Sequence, residues 1–72
     1  MRIKWLHNIE LSVVYSFDER NEIANEGTEI VEKDEVNEVD LLEDKGKTVD
    51  IQFGNGWMAF NVSKKWFAVV DT

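Results

Sequence analysis

Residues 48–62 read TVDIQFGNGWMAFNV. Val49, Ile51 and Phe53 alternate with Thr48, Asp50 and Gln52, the period-two pattern of a half-buried strand. Asn55-Gly56 follows, and an Asn-Gly pair accepts the positive φ angles of a tight hairpin turn. WMAFNV then reads as the return strand, with Met58, Phe60 and Val62 on one face and Trp57 on the other. A hairpin of this kind predicts an all-β chain.

The same period extends in both directions. Upstream, EVDLLE places Val39 and Leu41 on one face and Leu42 opposite, and DKGK at 44–47 is a turn in which Gly46 tolerates left-handed geometry. Residues 37–43, 48–53 and 57–62 are therefore expected to form a three-stranded meander. Further back, IELSVVYSF at 9–17 alternates Ile9, Leu11, Val13, Tyr15 and Phe17 with polar residues, another strand. Met1–Leu6 adds or extends an edge strand. Downstream, Ser63 breaks the alternation, Lys64–Trp66 fits one 3₁₀ turn, and Phe67–Val70 is a last short strand. Residues 18–28, DERNEIANEGT, are polar and are expected to be an acidic loop. Short strands with turns every eight to ten residues predict a small five- to six-stranded barrel filling one domain over 1–72.

Composition narrows the functions. A chain of 72 residues has a core worth only about 3–5 kcal/mol net. It has no cysteine, so disulfides and thiolate zinc sites are excluded, and packed side chains or self-association must hold it together. The N-terminal stretch is apolar only in alternation and carries Glu10, unlike a secretion signal, and no run approaches the ~18–20 apolar residues of a membrane span. These features point to the cytoplasm.

Net charge is −7, unevenly spread. Residues 18–50 hold thirteen acids against Arg20, Lys33, Lys45 and Lys47, a net of −9, and none of the eight aromatics. The flanks are each +1 and hold all the aromatics. Nucleic acid is a poor partner for such a chain, because phosphate binding uses clustered Lys and Arg, and only Lys64 and Lys65 adjoin. A basic protein partner suits it better.

The order of segments resembles the Src-homology-3 family. VVYSF (13–17) takes the place of that family's first strand, DERNEIANEG (18–27) its long acidic loop, and IVEKDEV (30–36) its corner. The meander follows, then SKKWF (63–67) at the family's 3₁₀ turn, and AVV ends the chain's last strand. Tyr15, Phe17 and Trp66 match the family by type. The paired tryptophans of the third strand are replaced by Thr48 and Val49, the proline before the 3₁₀ turn by Ser63, and Asp34 stands near the place of the corner glycine. The resemblance implies a Src-homology-3-like barrel with a peptide groove. The chain also resembles short acidic bacterial proteins carried by mobile elements, a likeness that brings no function.

The candidate partner-binding residues are Tyr15, Phe17, Trp57 and Trp66, flanked by Asp18, Glu19 and Glu22. On the family layout Tyr15, Phe17 and Trp66 lie along one groove, a preformed aromatic wall for an extended peptide, and the acids select Arg or Lys. The competing role of these aromatics is core and barrel-end packing, which weighs more in so small a domain. Trp57 and Trp5 are each either interface anchors or cross-strand packing partners.

No catalytic, metal or cofactor constellation is visible. The acidic run 29–44 lacks the central glycine of a calcium loop, and its alternating apolar residues say strand. His7 is a lone histidine, Ser12, Ser16 and Ser63 have no nucleophile context, and Gly54 and Gly56 belong to a turn rather than a phosphate loop. The expected function is a non-catalytic protein-interaction module for a basic or extended partner. Two alternatives are a homodimeric structural unit that buries an edge strand or Trp5, and an acidic decoy for a nucleic-acid-binding protein.

Overall fold

The computed structural model describes residues 1–18 and 23–70, with side-chain detail for 1–15 and 26–70. Seven strands form: β1 (Arg2–Trp5), β2 (Ile9–Asp18), β3 (Ile23–Val31), β4 (Val36–Asp44), β5 (Thr48–Phe53), β6 (Met58–Ser63) and β7 (Phe67–Val69). A 3₁₀ turn, Lys64–Trp66, precedes β7. It is capped by Ser63, whose hydroxyl accepts from the Lys65 amide at 3.2 Å. The order across the sheet is β3-β2-β6-β5-β4-β1-β7, and every paired neighbour is antiparallel.

The all-β class, the β4–β5–β6 meander and the 3₁₀ turn stand as the sequence predicts. Three expectations need correction. There are seven strands rather than five or six, and the sheet is not closed into a barrel: β3 and β7 are its two edges. The stretch 18–28 is not a loop along its length, because β3 occupies Ile23–Val31 and pairs with β2 from Asp18↔Ile23 to Ile9↔Val31. Its polar residues suit a hairpin arm whose outer face meets water, as exposed Glu26 and Thr28 do. Finally, β1 is not an edge strand. It lies between β4 and β7 and hydrogen-bonds to both.

Each strand sends residues into one core of Ile3, Trp5, Leu11, Val13, Val31, Val39, Val49, Ile51, Ala59, Val62 and Phe67. Trp5 is its largest member and is fully buried. Its ring meets Phe67 edge-to-face at 5.8 Å, and its indole N–H donates to Asn37 Oδ1 at 2.7 Å. Trp5 is thus a packing residue, buried inside the chain.

Strand alternation breaks at three bulges. In β2, Val14 pairs with Glu26 and Ser16 with Asn25, leaving Tyr15 extra. In β4, Leu42 is extra between Leu41↔Ile51 and Glu43↔Asp50. In β6, Phe60 and Asn61 together face Asp50, between Val49↔Val62 and Ile51↔Ala59. Asn61 takes a left-handed φ of 57°, which asparagine accepts better than most residues. The last bulge leaves Val62 in the core, as expected, but shifts the phase before it: Ala59 enters the core, while Phe60 is exposed.

The β4 and β6 bulges meet at Asp50, which lies buried beneath them. The Asn61 amide donates to its Oδ1 at 2.9 Å, and Lys45 Nζ sits 3.1 Å from its Oδ2 while also donating to Asn61 Oδ1 at 3.0 Å. The Asn61 amide, followed by Lys45, holds the Asp50 carboxyl below its ordinary value of 3.8 against the opposing effect of burial.

Candidate interaction cleft

The β5–β6 turn places Trp57. The Phe53 amide donates to Trp57 O at 2.7 Å, the Gly56 amide to Phe53 O at 2.9 Å, and the Trp57 amide to Asn55 Oδ1 at 3.1 Å. Gly56 supplies the positive φ, 93°, that the turn requires. With its backbone so held, the half-buried Trp57 ring stands edge-to-face against Tyr15 at 4.6 Å and 87°.

Tyr15 is itself seated on glycine. Its Oη donates to Thr28 O at 3.2 Å, and its ring lies over Gly27 in β3. A Cβ at Gly27 would overlap the ring edge and come within 2.8 Å of Oη and 2.9 Å of Cζ. Gly27, Tyr15 and Trp57 therefore form a stack from β3 through β2 to the β5–β6 turn. It is the covering of a backbone glycine by a neighbouring-strand aromatic.

In front of Trp57 lies a cleft of about 380 Å³ between the end of β3, the start of β4 and the β5–β6 turn. Trp57 and Phe53 form its aromatic side, and Glu29, Glu35 and Glu38 bring three carboxylates to it. Glu38 is shared with the N-terminal amine at 3.5 Å and Arg2 at 3.6 Å. Glu29 and Glu35 have no ion-pair partner among the described residues. The floor is fixed: the Asn37 side chain is held by Trp5, and the turn before β4 is tied to β1 by Asp34 N to Trp5 O at 2.8 Å and Trp5 N to Glu35 O at 2.9 Å. Asp34 takes a φ of 73° in that turn.

No protein-family model, curated protein or solved structure matches the chain.

Of the residues nominated from sequence, Trp57 lines the cleft and Tyr15 supports it from behind. Trp66 does not line it. Trp66 is half-buried on the 3₁₀ turn, packs against the core and accepts the Leu6 amide on its carbonyl at 2.8 Å. Tyr15 meets Trp57 edge-to-face, whereas Trp66 packs on the core. The backbone of Phe17 and Asp18 pairs with Ala24 and Ile23, but their side chains lie outside the described detail, and Glu19 and Glu22 lie outside the described residues. Phe53, Glu29, Glu35 and Glu38 escaped sequence reasoning. Phe53 looked like the end of a core strand, and the glutamates like solvated strand faces, until topology brought β3, β4 and β5 together.

A second, apolar cleft of about 260 Å³ opens between Met1, Leu41, Val49, Phe67 and Val69. The Lys64–Asp44 ion pair, at 2.8 Å, stands at its rim. The Lys64 hydrogen bond, then the Gly46 amide, hold the Asp44 carboxyl below its ordinary 3.8. Among the described residues no cluster of His, Asp and Glu is placed to hold a metal ion. No helix there is long and apolar enough to cross a membrane.

Proposed function

We propose that this chain is a non-catalytic interaction module that binds an extended, basic segment of a partner protein in the cleft before Trp57. The observation that carries the reading is the pairing of a backbone-held tryptophan with two carboxylates, Glu29 and Glu35, that have no ion-pair partner among the described residues, across one groove. An indole face and nearby carboxylates together suit a Lys or Arg side chain, whose stem packs on the ring while its head meets the acids. The chain's charge of −7 draws such a partner in at long range.

We read the layout as an open version of the Src-homology-3 order, with the first strand moved from residues 13–17 to β1. The long acidic insertion is then the β2–β3 hairpin, followed by the β4–β5–β6 meander, the 3₁₀ turn and β7. The binding groove does not follow the family's aromatic positions, so the reading of function rests on the cleft and not on the likeness.

The test is a titration of the ¹⁵N-labelled chain with a lysine-rich decapeptide. The Trp57 indole and the amides of Glu29 and Glu35 are expected to shift together. Exposed charge pairs contribute roughly 0.2–1 kcal/mol each, so Glu29→Gln with Glu35→Gln weakens binding about 2- to 30-fold. The weakening shrinks as salt rises. A peptide that leaves the cleft resonances unmoved at low salt defeats the proposal.

A further inference from the structure

We infer that the free edge of β3 takes up the bound segment as an added strand, so that the partner chain is read by backbone hydrogen bonds as well as by the cleft. This rests on the cleft reading, because Glu29, Ile30 and Val31 at the end of β3 line the same cleft.

The two edges of the sheet are protected differently. β7 exposes only three residues, Phe67–Val69, which is one common way of making an edge harmless. β3 is nine residues long and contains no lysine, arginine or proline, the residues that most often block an edge. Its only bulge-bearing neighbour is β2, and the bulged residue, Tyr15, braces β3 through Gly27 and Thr28 rather than twisting it away. A long, braced edge is a ready template for a further strand.

Charge selects the occupant. Along β3, Glu29 shares a face with buried Val31 and looks to the cleft, while Glu26 shares the opposite face with Ile30, which is 68 % exposed. An added strand meets a carboxylate on either face. A second copy of this chain would bring its own glutamates to that edge, and like charges across paired strands are destabilising. A strand carrying lysines at alternate positions turns them all to the cleft face, toward Glu29, and its intervening aliphatic residues lie on the other face and cover Ile30. The occupant is therefore a basic extended peptide from another protein.

The experiment uses the full chain and a decapeptide of alternating lysine and valine. Two further versions carry N-methyl groups on alternate backbone amides, one in each phase, so that one of them blocks the pairing edge without changing any side-chain charge. The parent peptide is expected to slow amide hydrogen exchange across residues 26–31 at least tenfold. One of the two methylated versions is expected to bind at least tenfold more weakly than the parent. Reversal of the edge charge, Glu26→Lys with Glu29→Lys, is expected to transfer binding to the corresponding glutamate–valine peptide.

If both methylated peptides bind like the parent while the Trp57 indole still shifts, strand addition is wrong and the cleft reading stands. Protection of β3 without movement of Trp57 supports the edge and removes the cleft. No response at either place overturns both. Protection of 26–31 that rises with chain concentration alone makes the occupant a second copy, which also overturns the inference.

Discussion

Gly27→Ala tests the stack behind the cleft. The added Cβ collides with the Tyr15 ring, with Oη and Cζ at 2.8 and 2.9 Å, so the ring must leave its seat. The displaced ring loses its edge-to-face contact with Trp57, worth about 0.5–1.5 kcal/mol. It also loses its bond to Thr28 O, worth about 0.5–1.5 kcal/mol. Against this, alanine restricts the unfolded chain and returns about 0.4–1 kcal/mol. The net cost is roughly 1–2 kcal/mol, a large part of the ~3–5 kcal/mol that a core of this size supplies. For a domain of this length that lowers the thermal midpoint by about 4–16 °C. Circular dichroism melts of four proteins check it: the parent, Gly27→Ala, Tyr15→Ala and the double variant. In the Tyr15→Ala background the collision is gone, so Gly27→Ala should be neutral or slightly stabilising. An equal cost in both backgrounds, or no cost in the parent, refutes the seat.

Lowering pH tests Asp50 and Asp44. Both carboxyls are held below their ordinary 3.8 in the folded chain, so their stabilisation is complete above that value and is lost as pH falls through the lowered folded values. Urea midpoints between pH 7 and 2.5 should therefore fall at the acid end, and Asp50→Asn should flatten the fall. Trp5→Ala removes a fully buried indole at about 3–5 kcal/mol, as much as the whole core supplies, so the variant should show no cooperative melt; a folded Trp5→Ala contradicts the core assignment. Asn61→Val forces a β-branched residue into a left-handed conformation at about 1–2 kcal/mol, whereas Asn61→Gly should stay within about 0.5 kcal/mol of the parent; equal denaturation midpoints for the two would contradict the bulge.

How much of this was legible in the sequence depends on where period two holds. Across β5 it holds for Val49 and Ile51, and the hairpin that follows is where Asn55-Gly56 puts it. It fails at bulges, because one extra residue moves every later side chain to the other face. Period two predicts Phe60 inward, yet Phe60 is exposed and its neighbour Ala59 is fully buried. The signal was present in Asn61, one of the few residues at home in left-handed geometry, but an asparagine inside a strand pattern does not say which way the phase will shift. Leu41 and Leu42 tell the same story in β4, where the bulge leaves both about half exposed.

The polar stretch after Phe17 was hard to read for a different reason. A strand is recognised by what it buries, and the described part of β3 buries only Val31. Among the described residues, the arm is held by backbone pairing with β2 and one aromatic ring laid over one glycine, neither of which leaves a hydrophobic period in the sequence. The cleft was invisible on the same grounds, since Glu29, Glu35 and Trp57 are brought together only by the fold.

The segregation of charge follows from the same architecture. An open sheet keeps two edges, and a chain without disulfides has little stability to spare against mispairing with its own copies. Short length removes that hazard at β7. At β3, length is retained, and on the proposed reading the glutamates take over the task that lysine usually performs. On that reading, acids in place of lysine also fix the sign of the strand that is allowed to approach. On this view the acidic middle of the chain and the tryptophan beyond it are parts of one surface, with repulsion excluding copies and the indole rewarding a basic chain that arrives extended.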